Sequence, residues 1–114
     1  MIAQRYPLKA CDKPGNRERT IRNVLDSNGT LIIYHHRLSG GTEETLRCCI
    51  EFQRPYLLID AREFSEAHAA ERALEFVSQE KIRVLNVAGP RASDWADGYA
   101  YAKAVIARMC GAKG

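Results

Sequence analysis

The apolar positions of the chain follow two different periods. Three short runs are almost continuously apolar: Leu31 to Tyr34, Tyr56 to Asp60 and Ile82 to Val87. Their β-branched and aromatic residues, bounded by turn formers, predict strands. None alternates cleanly between apolar and polar, which predicts a parallel sheet covered on both faces. Between the runs the spacing turns helical. Glu43 to Phe52 is one such segment. Glu66 to Gln79 is the clearest, with Ala69, Ala70, Ala73, Leu74 and Val77 at helical intervals. Asp97 to Cys110 closes the chain, with Tyr101, Ala104, Val105, Arg108 and Met109 along it. An earlier helix, Asn16 to Leu25, precedes the first strand. Asp26-Ser27-Asn28-Gly29 stops it with turn chemistry and a glycine suited to positive φ.

Helices alternating with strands predict an α/β fold, with right-handed crossovers placing helices on both faces of the sheet. The 114 residues suffice for one domain, 1–114. Its first fifteen residues carry Pro7, Pro14 and Gly15 and are expected to form an irregular N-terminal segment. In a parallel sheet the strand C-termini share one edge, and ligands bind there at a switch in strand order. Three loops therefore converge: His35 to Thr42, Asp60 to Ser65 and Ala88 to Trp95.

The first of these loops runs into SGGTEET, residues 39–45. Two glycines let the backbone turn tightly and bring its N–H groups close to a ligand. Thr42 can cap the first turn of the following helix. The unpaired N–H groups there, beside the positive end of the helix dipole, suit an anion such as phosphate. The third loop reads AGPRASDW. Gly89 and Pro90 make a turn, Ser93 or Asp94 can cap the last helix, and Arg91 offers a planar fork that matches phosphate. The candidate binding residues are thus Ser39, Gly40, Gly41, Thr42, Gly89, Arg91 and Ser93, with Asn86 holding loop geometry. A plain strand-to-helix turn is the bland reading of the same glycines.

Other residues carry weaker signals. His35 and His36 are adjacent at a strand end and face opposite ways, so lining a loop or pocket outweighs metal ligation. Glu43 and Glu44 lie in a first helical turn, where acids favour the dipole; a catalytic carboxylate is the sharper alternative. Asp60 ends a strand and can accept a turn N–H. Trp95 and Tyr99 can stack on a ring, although packing is the commoner role. Arg17, Arg19 and Arg22 form a solvated helix face, with Arg19 able to reach a phosphate.

Composition narrows the function class. The net charge of +3 is too mild for a nucleic-acid surface but compatible with a small anion. No apolar run approaches the roughly 18–20 residues of a membrane span, and no secretory signal opens the chain. Cys11, Cys48, Cys49 and Cys110 lack CxxC spacing and read as reduced thiols in a cytoplasmic protein rather than as a zinc site.

Five segments appear together and in order: RYPL (5–8), RERTIRNVLDSNGTLII (17–33), LSGGTEET (38–45), RPYLLID (54–60) and IRVLNVAGPRAS (82–93). In this the chain resembles molybdenum-cofactor carrier proteins, over about residues 4 to 110. These belong to a Rossmann-like superfamily that also holds the "lonely guy" nucleotide phosphoribohydrolases. The resemblance implies a Rossmann-like three-layer sandwich with a small, mostly parallel sheet and helices on both faces. It implies a homo-oligomer, a dimer or tetramer. It implies non-catalytic carriage of the molybdenum cofactor, a phosphorylated pterin, with molybdoenzymes or cofactor insertases as partners. Members usually begin with an extra strand, a GGQTG-like loop and a helix. Here Met1 stands just before RYPL, so one strand and one cradling loop fewer are expected, leaving about three strands and an exposed edge. A homodimer is one way to rebuild the site. Two alternatives stay open. One is a nucleoside-monophosphate phosphoribohydrolase-like enzyme, in which Glu44 or Glu43 stabilises charge developing on the ribose. The other is a degenerate oligomeric scaffold.

Overall fold

A computed structural model describes residues 8–10, 17–38, 40–89 and 95–111. The elements run β1 (Leu8–Ala10), α1 (Arg17–Leu25), β2 (Gly29–Tyr34), α2 (Gly40–Glu51), β3 (Tyr56–Asp60), α3 (Glu66–Gln79), β4 (Leu85–Gly89) and α4 (Gly98–Gly111). The sheet has four strands in the order β1-β4-β2-β3, and every ladder is parallel. This is the Rossmann-like α/β arrangement expected.

The helices divide between the faces. Leu31 and Ile33 of β2, Ile59 of β3, and Leu85 and Val87 of β4 join one buried cluster with α3 and α4. Side chains alternate along a strand and paired parallel residues share a face. Thr30, Ile32, Asn86 and Ala88 therefore point the other way, beneath α2, which packs on β2 and β4 and against α1. Val24, Cys48 and Cys49 form the buried cluster on that side.

Several elements differ from the sequence expectation. The 1–15 segment contributes a strand, β1, which pairs with β4 through Leu8↔Val87, Lys9↔Ala88 and Ala10↔Gly89. Three residues carry too little pattern to announce a strand, and the partner lies far along the chain. The sheet accordingly has four strands rather than three. β4 starts at Leu85, not Ile82, because the preceding residues finish α3: the Ile82 N–H donates to Val77 O at 2.9 Å. Lys81 adopts φ 54° in the same turn. Gly29 has no positive φ; it is glycine for space. A Cβ there would stand 2.3 Å from Ile82 Cδ1 and 3.3 Å from Phe76 Cζ.

Candidate functional site

The strand order reverses between β2 and β4. The chain leaves β2 toward α2 on one face and leaves β4 toward α4 on the other. In open α/β sheets the crevice that receives ligands lies at this C-terminal edge, where the strand order reverses. Two depressions of about 500 and 350 Å³ lie away from this edge, along α3 and between α3 and the end of α4.

One wall of the crevice is the start of α2. The helix begins at Gly40, three residues before Glu43, so both glycines belong to its first turn. Gly40 has φ 53°, a left-handed conformation that costs glycine little. Gly40 is exposed and Gly41 half-buried. The Thr45 hydroxyl donates to Gly41 O at 2.8 Å, tying the first turn to the second. Thr42 is the third helical residue and buried, so it does not occupy the cap position assigned to it. Ser39, Arg91 and Ser93 lie outside the described residues.

Gly89 ends β4, and among the described residues nothing lies within 4 Å of a Cβ placed on it. Asn86 lies within β4. It stands three residues back along β4, buried, and its Nδ2 donates to Thr30 Oγ1 at 3.4 Å. Its place is in the sheet under α2, where it supports the crevice floor. Of the eight binding candidates, the structure thus puts Gly40, Gly41 and Gly89 at the edge and Thr42 and Asn86 beneath it.

The opposite wall is aromatic. His35, continuing the phase of Leu31 and Ile33, stacks on Trp95 with ring centroids 4.4 Å apart and planes at 19°. Trp95 in turn lies 5.6 Å from Tyr101. The Tyr101 hydroxyl is anchored by donating to Phe64 O at 2.7 Å. Residue types alone cannot pair His35 with Trp95, since sixty positions separate them.

At the end of β3, Asp60 accepts from the N–H groups of Arg62 at 3.0 Å and His36 at 3.3 Å. This is the turn-binding role rather than a free carboxylate. His36, at φ 81°, also meets the Arg62 guanidinium through its Nδ1. Glu44 pairs with Arg17 at 2.6 Å and Glu43 with Arg47 at 3.4 Å. Arg17 reaches Glu51 as well, at 2.9 Å, and the bonds to Glu44 and Glu51 raise its pKa. The two acids proposed for ribose chemistry are therefore engaged by cations on the flanks of α2. Burial pushes the Cys48 and Cys49 thiols up and keeps them neutral. Among the described residues no group of three or more His, Cys, Asp or Glu is placed to hold a metal ion, and no helix is long and apolar enough to cross a membrane.

A parallel sheet wound on both faces, with glycines at its switch point, defines a Rossmann-like domain. The chain belongs to the circularly permutated YpsA SLOG family, whose model matches residues 1–110. It is similar to a solved structure, the "Putative molybdenum carrier protein" of Syntrophus aciditrophicus SB, with a TM-score of 0.79 and 36% identity. That match covers 82% of this chain and 60% of the other, so the chain spans three-fifths of its neighbour's length. No curated protein matches.

Proposed function

We propose that this chain binds a small phosphorylated ligand, the molybdenum cofactor, and carries it as cargo without turning it over. The observation that carries the reading is the Gly40–Gly41 start of α2 at the switch-point crevice. The name of the Syntrophus neighbour points the same way. Phosphate oxygens would accept from N–H groups in the first turn of α2, at Gly40, Gly41 and Thr42. The helix dipole adds about 0.3–1 kcal/mol for an anion at such a terminus. Gly89 leaves room for the ligand over β4. Ser39, Arg91 and Ser93 would add hydroxyl and guanidinium contacts. The proposal extends to a cytoplasmic setting, molybdoenzymes or cofactor insertases as acceptors, and a homo-oligomer.

Anaerobic titration with the cofactor, following its protection against oxidation, tests the reading. Saturable protection is expected for the wild-type chain. Gly41→Asp places a carboxylate where the phosphate sits and should weaken binding roughly tenfold or more, by removing a favourable anion site and adding like charge. Unchanged affinity in that variant would rule out the cradle.

A further inference from the structure

The α2 wall of the crevice offers N–H groups to an anion, but phosphate is only one end of a phosphorylated heterocycle. The facing wall holds an exposed imidazole, His35, whose inner face is covered by Trp95. Trp95 is half-buried and packs into the α3/α4 core beside Tyr101. Tyr101 is itself anchored to the Phe64 carbonyl. The stack is thus held from behind through three residues, and His35 itself is exposed at the C-terminal end of β2. His35 directly follows β2 and Trp95 lies just before α4, so the stack ties these two parts of the chain together.

We infer that His35 is the ring-recognition surface of the crevice: a planar heterocycle on the phosphorylated ligand stacks on its outer face, with Trp95 as the backing ring. The inference rests on the carrier reading for its phosphate end and adds the specificity of the other end. Offset stacking of flat π systems recognises any planar heterocycle, whether pterin or purine. The chemistry read at His35 is therefore the ring's planarity, and its source is decided by experiment. His35 acts here by direct contact with the ligand, and Trp95 acts by positioning it.

Trp95 is the sole tryptophan of the chain, so its emission reports on this wall directly. The test compares the wild-type chain, His35→Ala and His35→Phe with three probes: the molybdenum cofactor, a nucleoside monophosphate and inorganic phosphate. His35 is exposed, so its truncation leaves the core intact. His35→Ala should weaken cofactor binding roughly tenfold, the scale of one lost aromatic stack. It should leave phosphate binding unchanged, and His35→Phe should restore cofactor affinity. Cofactor should shift Trp95 emission in the wild type but not in His35→Ala, and phosphate alone should shift it in neither. His35-dependent binding of the nucleotide in place of the cofactor would support ring recognition and name a different heterocycle. Equal cofactor affinity in the wild type and His35→Ala would overturn the inference while leaving the carrier reading standing. If the wild type binds none of the probes, the carrier reading falls and this inference with it.

Discussion

On the face covered by α3 and α4, the sheet presents Leu31, Ile33, Ile59, Leu85 and Val87, and it meets Ala69, Ala73, Phe76, Val77 and Val105. On the face covered by α1 and α2 it presents Thr30, Ile32, Asn86 and Ala88, and it meets Thr42, Thr45, Cys48 and Cys49. One side is a broad aliphatic core built on an alanine-rich helix. The other is narrow, with small and polar side chains that let α2 lie close to the sheet. The difference follows from position. The α2 side must deliver a helix start to the switch-point edge, and short side chains beneath α2 allow a close approach. Stability is therefore expected to reside mainly on one face, and the candidate site on the other.

The largest effect should come from the aliphatic face. Ile82 is 1% exposed and packs among the α3/α4 cluster. Ile82→Ala removes its methyl and methylene groups and leaves a cavity, at a cost of about 2–5 kcal/mol. Cys48→Ala, equally buried but on the other face, deletes a single sulfur and should cost clearly less. Urea melts with unchanged slopes would measure both. Equal losses would mean that the two faces share the load.

A smaller effect tests the polar face. Thr30→Val takes away the acceptor of Asn86 Nδ2 and leaves a buried amide short of a partner, costing about 1–3 kcal/mol. Adding Asn86→Leu removes the orphaned amide too and should recover part of that loss. If the double variant is no better than Thr30→Val, the Thr30–Asn86 bond is not what holds this row.

How much of this could be read from the chain depends on how local each cause is. α3 matches its expected span, Glu66–Gln79, because its alanine spacing and its cap are both local: the Ser65 side chain accepts from His68 N. β3 matches for the same reason, a compact apolar run closed by Asp60. The start of α2 was misplaced because glycine disfavours a helix interior, yet a first turn needs no intrahelical N–H partner and tolerates it. Asn28 reads as a stop for α1. Its side chain also accepts from Arg83 N at 3.2 Å and Val84 N at 2.9 Å, which steers the approach to β4 from 55 residues away. The glycines of the site were legible as a motif. The aromatic wall was not, since His35 and Trp95 meet only after β2 and β4 lie side by side.

The smallest effect separates the faces by pH. Burial is the main cause that raises the Cys48 and Cys49 thiols above their ordinary 9.0, with the Thr30 hydrogen bond lowering Cys49 in part. Burial likewise raises the Tyr101 phenol above 10.0, helped by Glu66 and Asp60. In each case the folded state holds the proton more tightly than the unfolded chain does. The resulting stability is fully present below the unfolded value and is lost as pH rises through the folded one. The α2 face should therefore begin to weaken above pH 9.0, and the α4 face only above 10.0. Urea midpoints across that range should fall, first through the thiols. In a Cys48→Ala, Cys49→Ala chain the loss between those two pH values should shrink, while the loss above 10.0 remains. If removing both thiols leaves the whole alkaline profile unchanged, their burial contributes nothing to the pH dependence.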